Sequence, residues 1–353
     1  MGNKSLKSNI DDLNYMNENY PKKIRYLKDL TMDAFSHPQL TLDNTFIVFK
    51  SINDIYYLIY YTEKKSIVSY NLITYQKINV IKNQDVYTFK HYLDKKKKRD
   101  LILSMSLDRV KIWNVNNWKC LTNIEVYNGT LSKYTYIIAC LLNDNNNNYI
   151  LSIRCFYKHS KIELFDFNGK KIKDIIELKE KPYYIDTYND NKLKRAFIIT
   201  SYYKYIMSYD YTNNKNYHKY YNRTEFHSSI AHIIIKDNDE IVKMYENDEY
   251  CVRIWDFHKG QLLNKINVYR NYCLNSICFW NEDYLIGACG SDKFILAELN
   301  GKIPCNLEQN YRFIEIKINH KVYNIKKIFL PKYGNCLVTQ GMDKEQIKLW
   351  VNC

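Results

Sequence analysis

Two clusters of cations are the residues best placed to do chemistry in this chain. Lys95, Lys96, Lys97, Lys98 and Arg99 stand together in HYLDKKKKRD (91–100), and Lys192, Lys194 and Arg195 in YNDNKLKRA (188–196). Cations this close attract phosphate-rich or acidic partners by charge. They also suit a plain solvated turn in a lysine-rich chain, and both readings stand at this level. Asp108, Asp248, Asp292 and Asp343 recur in polar turns ahead of alternating apolar runs. A carboxylate there accepts hydrogen bonds from the turn. Metal binding or catalysis would need a second carboxylate or histidine beside each, and none recurs. The sequence has no G-x-S-x-G, H-E-x-x-H or P-loop, and its 8 histidines show no metal-ligand spacing. No catalytic residue, metal ligand or cofactor is therefore assigned, and no enzymatic activity is expected.

Gly2 opens MGNKSLKS, followed by Lys4 and Lys7. It is a candidate for N-myristoylation after removal of Met1, although the pattern wants Ser or Thr at the sixth position, where Leu6 stands. One acyl chain holds a membrane only marginally, so a basic surface would have to help. Residues 1–21 otherwise read as a polar, flexible tail.

The chain has 353 residues, is 46% hydrophobic and carries a formal charge of +14. That is enough apolar material for a large core, and the charge favours acidic partners: nucleic acid, anionic lipid or acidic protein. Lys, Asn, Ile and Tyr, all encoded by A/T-rich codons, are abundant, so part of this charge reflects composition. No apolar stretch is long enough to span a bilayer, and no secretory signal opens the chain. A cytoplasmic or nuclear location is expected, with the 10 cysteines as reduced thiols. No C-x-x-C pair occurs, and most cysteines sit in apolar strand contexts, where each acts as a small hydrophobe.

What must position these residues is a repeat. CVRIWDFHKG (251–260) alternates Val252 and Ile254 before Trp255 and Asp256; RVKIWNVNNWKC (109–120) does the same before Trp113 and Asn114; QIKLW (346–350) ends on Trp350. Weaker copies place Tyr70, Phe165, Tyr209 and Ala297 at the tryptophan position. Successive anchors are 43, 52, 44, 46, 42 and 53 residues apart, near the period of about 40–45 of a four-stranded propeller blade. The longer intervals are assigned to the NDNNNN tract (143–148), read as a solvated insertion, and to the segment around Asn310–His320. Short alternating strands with polar turns, and no amphipathic helices between them, indicate an all-β architecture.

These units resemble the WD40 repeat family. The resemblance rests on Trp113-Asn114, Trp255-Asp256 and Trp350, and on the turns SLDRVKIW (106–113), NDEYCVRIWD (247–256), MDKEQIKLW (342–350) and GSDK (290–293). The family's Gly-His pair is absent throughout. The resemblance implies a single seven-bladed WD40-type β-propeller over 22–353. The blades fall at roughly 44–82, 85–126, 130–178, 181–221, 225–269, 272–308 and 311–353. The last unit stops just after its third strand, which would leave an open edge. KKIRYLKDLTM (22–32) is expected to add the missing strand and close the ring. By resemblance Trp113, Trp255, Trp350, Tyr70, Phe165, Tyr209, Asp256 and the turn aspartates hold the blades. Function is then expected as a non-catalytic scaffold for protein partners, with anionic lipid or RNA at the basic turns as the alternative.

Overall fold

A computed structural model describes residues 24–31, 34, 45–106, 108–125, 137–144, 147–155, 160–202, 204–221, 232–238, 241–247, 251–267, 276–288, 290–299, 313–318, 321–341 and 346–352. Gly2, the 1–21 segment, Asp248 and Asp343 lie outside the described residues. Within them, every helix or strand element is a β-strand.

The strands form seven antiparallel four-stranded sheets. Blade one holds β2 (Phe46–Lys50), β3 (Tyr56–Thr62), β4 (Ser66–Asn71) and β5 (Gln76–Ile81). Blade two holds β6 (Thr88–Asp94), β7 (Arg99–Met105), β8 (Arg109–Asn114) and β9 (Lys119–Glu125). Blade three holds β10 (Ile137–Asp144), β11 (Asn147–Cys155), β12 (Ser160–Phe165) and β13 (Lys171–Leu178). Blade four holds β14 (Tyr184–Asp190), β15 (Arg195–Ser201), β16 (Tyr205–Asp210) and β17 (Lys215–Tyr221). Blade five holds β18 (His232–Asn238), β19 (Ile241–Asn247), β20 (Cys251–Asp256) and β21 (Gln261–Asn267). Blade six holds β22 (Ser276–Phe279), β23 (Tyr284–Ala288), β24 (Lys293–Glu298) and β25 (Phe313–Lys317). Blade seven takes β26 (Val322–Leu330), β27 (Gly334–Gly341) and β28 (Ile347–Asn352), and is completed by β1 (Ile24–Thr31).

The expected closure is therefore present. β1 pairs antiparallel with β28 from Ile24↔Asn352 to Thr31↔Ile347, and Tyr26 meets the Trp350 ring edge-on at 5.6 Å. Seven apolar clusters fill the interfaces between neighbouring blades, one each, including that between blades seven and one. The outer fourth strands are mostly exposed and carry Lys or Glu, which discourages edge-to-edge pairing.

The anchor residues do one job in every blade. Each packs into the cluster shared with the preceding blade: Trp113 with Ile59 and Phe49, Phe165 with Leu103, Tyr209 with Leu151, Trp255 with Ile199 and Tyr220, Trp350 with Phe294 and Leu296. Tyr70 packs at the rim of the blade-seven cluster. Blade six offers only Ala297, and the preceding blade compensates. Tyr245, paired with Ile254, takes the place that Leu103, paired with Ile112, holds in blade two, and it fills the cluster with Ala297. In blades one to five a register shift falls at the anchor or one residue from it, as between Ile112 and Trp113 or Ile254 and Trp255. Such a bulge increases local twist and aims the ring at the neighbouring sheet.

The residue after the anchor shapes the next turn. Asn71, Asn114, Asp166, Asp210 and Asp256 accept backbone N–H groups two to four residues onward, at 2.8 Å for Ile73 and 3.0 Å for His258. The turn then passes through a left-handed residue: Tyr75, Trp118, Gly169, Asn214 or Gly260. Left-handed backbone is costly for bulky side chains, so the tertiary fold holds Tyr75 and Trp118 where glycine would sit more easily.

Two sequence expectations change. The NDNNNN tract is no insertion, because Asp144 pairs with Asn147 in the β10–β11 hairpin. The extra length of that unit lies between Glu125 and Ile137. Likewise Phe313–Lys317 pairs with β24 and belongs to blade six, so that blade extends past 308 and blade seven begins at Val322 rather than 311. An alternating apolar run looks alike as an outer or an inner strand, and only its pairing partner decides.

Two stability predictions follow from these contacts. Deleting residues 1–35 removes β1 and exposes β28 along its length. The truncated chain is expected to aggregate or be cut rapidly in limited proteolysis, and a compact, resistant truncation would refute the closure. Among the tryptophans, the Trp113 Nε1 donates to Ser104 Oγ at 2.9 Å and the Trp350 Nε1 to Thr339 Oγ1 at 2.8 Å, whereas the buried Trp255 Nε1 has no protein partner. Replacement by Phe should cost about 1 kcal/mol more at Trp113 and Trp350 than at Trp255 in denaturant unfolding. Equal costs would show that these bonds carry no weight.

Candidate functional site

In each blade the turn between the first and second strands, and in blades one to six the connection between the third and fourth, emerges at the same end of the sheet. They form one face of the ring. Lys95, Lys96, Lys97 and Lys98 lie exposed in the β6–β7 turn, and Lys192 and Lys194 in the β14–β15 turn. The two clusters share this face two blades apart, with the β10–β11 hairpin between them. Lys170, Lys215, Lys259 and Lys332 are exposed in other turns of the same face.

The acids of these turns point the other way. Asp94, Asp190, Asp210 and Asp256 are all buried. Asp94 accepts the Lys97 N–H at 3.1 Å and pairs with Arg99 Nε at 3.0 Å. Asp190 accepts the Leu193 N–H at 2.8 Å, and Asp210 lies 3.6 Å from Arg195 Nη1. The cluster arginines are thus committed inward, and the exposed cations are lysines. Net charge at the surface follows from burial, not from composition alone. Among the described residues, the exposed carboxylates on this face sit on blades one and six, where Asp54 pairs with Lys50 at 2.7 Å and Glu282 with Lys236 at 3.3 Å.

Three histidines that sequence reasoning passed over pin blades together beneath this face. His91 Nε2 meets Asp100 Oδ1 at 2.7 Å, and its ring stacks on Phe49 of blade one at 3.8 Å. Asp100 Oδ2 also accepts the Ile52 N–H of blade one at 2.8 Å. Between blades four and five, His258 Nε2 lies 2.8 Å from Asp190 Oδ2, Tyr217 Oη lies 3.1 Å from His258 Nδ1, and the His218 ring donates to the His258 carbonyl at 2.5 Å. No local pattern marks these pairs: His91 and Asp100 are nine residues apart across one hairpin, and His258 and Asp190 lie on different blades.

The first strands line the central channel. A cavity of about 280 Å³ there is bounded by residues of five blades, among them Lys90, His91, Tyr184, Asp186 and Lys326. Its polar groups bind each other: Lys90 Nζ reaches the Ile185 carbonyl at 2.5 Å, and Tyr184 donates to Asp186 at 2.7 Å. Of the turn aspartates, Asp108 accepts from Ser106 at 2.8 Å and from Arg109 at 3.2 Å, and Asp292 is exposed. No cluster of three His, Cys, Asp or Glu among the described residues has the geometry of a metal site. Burial pushes the Cys278 thiol up to about 12 and the Cys140 thiol higher still, so neither is a nucleophile. No helix among the described residues is long and apolar enough to cross a membrane.

No family model matches the chain, and no curated protein matches it. Solved structures do match. BBS1N, crystallised in complex with ARL6DN, superimposes at 9% identity over 93% of this chain and 98% of BBS1N. The TM-score is 0.61 for the lead-soaked crystal and 0.60 for the mercury-soaked one. The fold is a seven-bladed β-propeller. At that identity the likeness reaches the propeller fold and no further.

Burial lowers the His91 imidazole below its ordinary value, and Asp100 beside it offsets part of the shift. The folded propeller therefore prefers neutral His91, and the unfolded chain takes up the proton first as pH falls. This contribution to stability is present above about pH 6.5 and is lost below it. The thermal midpoint should fall between about pH 7.5 and pH 5.5, and His91→Asn should shrink that fall. An unchanged pH slope in the variant would remove His91 from the account.

Proposed function

We propose that this chain is a WD40-type propeller that acts as a non-catalytic scaffold, holding acidic protein partners on its basic turn face. One observation carries the reading: Asp94, Asp190, Asp210 and Asp256 on this face are buried and spent on holding turns and blades, while the lysines beside them stand in solvent. Such a face attracts acidic surfaces over several ångströms and speeds encounter.

The tryptophan and Asx pattern, with its bulge and left-handed turn, supports the WD40 assignment. BBS1N was crystallised with a protein partner, which supports protein recognition for a propeller of this shape. The half-buried histidines and the buried aspartates and cysteines are engaged in structure, which favours an adaptor over an enzyme.

The test is affinity purification of the tagged full-length chain at low and moderately high salt, with and without nuclease. A discrete, stoichiometric set of proteins that survives both is expected, because packed interfaces tolerate salt. Loss of all partners with nuclease would assign the face to RNA, whose phosphate contacts weaken steeply with salt. Redistribution of the chain to membranes would assign it to anionic lipid.

A further inference from the structure

The turn face is not uniformly polar. Between blades four and five it opens into a crevice of about 210 Å³ lined by Asp190, Lys192, Leu193, Ile241, Val242, Asp256, His258 and Lys259. Leu193 heads the β14–β15 turn with 46% of its surface exposed. Ile241 and Val242 begin β19 on the facing blade. A cavity of about 150 Å³ holds a benzene ring, so this one has room for a single aromatic or branched aliphatic side chain.

The acids in the crevice are already engaged within the protein. Asp190 accepts the Leu193 N–H at 2.8 Å through one oxygen and meets His258 at 2.8 Å through the other. Asp256 accepts the N–H groups of His258 and Lys259 at 3.0 and 2.9 Å, and its second oxygen lies 3.7 Å from the Lys259 ammonium. Among the described residues, the crevice presents apolar wall, the half-buried His258 and lysine outward. Lys192 and Lys259 stand on its rim, and Lys194, Lys215 and Arg195 lie on the adjoining turns of blade four.

The walls are also held in place before anything binds. Tyr220 Oη donates to the Phe257 carbonyl at 2.6 Å, the His218 ring holds the His258 carbonyl, and the Gly260 N–H closes the turn on the Asp256 carbonyl at 2.9 Å. A Cβ at Gly260 would come within 3.1 Å of His218 Nδ1, and the residue has φ +67°, so this turn is built around a glycine. A site formed in advance spares the ligand the cost of ordering it.

We infer that the crevice between blades four and five receives one apolar side chain of an acidic protein segment, whose flanking carboxylates meet Lys192, Lys194 and Lys259. The inference rests on the scaffold reading and specifies where and how the partner docks. Charge complementarity selects an acidic segment, and the recessed apolar floor selects a protruding side chain over a phosphate backbone.

The experiment is selection of a displayed library of short random peptides on the full-length chain, followed by titration of the enriched peptides. The variants are Leu193→Asp and the double change Lys192→Glu with Lys259→Glu; the control is Lys95→Glu with Lys96→Glu on blade two. Leu193 and the lysines are exposed, and far-ultraviolet circular dichroism verifies that each variant is folded. Enriched peptides should be acidic around one Leu, Ile, Phe or Trp. Affinity should drop by roughly tenfold or more in both crevice variants, about 1.4 kcal/mol or more, and far less in the control.

Failure to enrich such peptides would overturn the inference, as would equal binding by Leu193→Asp. So would binding of phosphatidylserine vesicles that depends on Leu193 in place of peptide binding. If purified partners persist on the Leu193→Asp chain, the scaffold reading stands and only the crevice falls. If the wild-type chain retains no protein partner either, both fall together.

Discussion

The backbone pairing of Ile24–Thr31 with Ile347–Asn352 ties the first described strand of the chain to the last. Every other interface depends on it, because a propeller has no single core. Its apolar material is divided among seven clusters, each shared by two neighbours. The cluster between blades seven and one draws Leu30 and Ala34 from the N-terminal segment, Phe46, Leu58 and Val68 from blade one, and Ile328, Leu330, Ile347 and Leu349 from blade seven. Ile24 contributes to the cluster between blades six and seven. A ring held this way has no terminal blade with an uncovered face, and the strand most in need of a partner has one. The convergence of the first strands on the channel, and with it the contact of Lys90 with Ile185, requires the same closure.

Within that ring, polar groups are divided by position. Asp94, Asp190, Asp210 and Asp256 face inward and satisfy backbone N–H groups, an arginine, or a histidine of the next blade, while the lysines beside them face outward. Blade five shows how far the pattern bends. Ser104 and Thr339 receive the tryptophan N–H in blades two and seven, but blade five has Glu246 at the equivalent register, and it pairs with buried Arg253 at 2.8 Å. Trp255 keeps its packing role and leaves its N–H without a protein acceptor. A buried ion pair is costly to desolvate, so this blade exchanges a neutral hydrogen bond for a charged one at no evident gain in stability. The same blade supplies His258, Lys259 and Val242 to the crevice with blade four.

The repeat was legible because its parts are local. A tryptophan or tyrosine at the end of an alternating strand, followed by Asp or Asn and a turn, is set by burial period and by Asx capping, and both act within a few residues. The need for a closing strand was legible too, since the last unit ended one strand short. The sixth blade was the weak point. Ala297 replaces its anchor, and its outer strand comes after a long connection, so Phe313–Lys317 could be read into either neighbour. The asparagine tract misled for a different reason: polar residues suit a hairpin tip as well as an insertion, and pairing of Asp144 with Asn147 is not visible in composition.

What the amino-acid sequence determined by itself was the all-β class, the seven units, their anchors and the clustering of lysines, because each follows from residue type at fixed short spacing. What only the tertiary structure decided was direction and juxtaposition. It turned Arg99 and Arg195 toward buried carboxylates and left Lys95–Lys98, Lys192 and Lys194 in solvent. It also brought Leu193 opposite Val242, and His258 onto Asp190. Those pairs come from different blades, and their meeting is fixed by how one sheet packs on the next around a closed ring, a long-range constraint that no local pattern encodes.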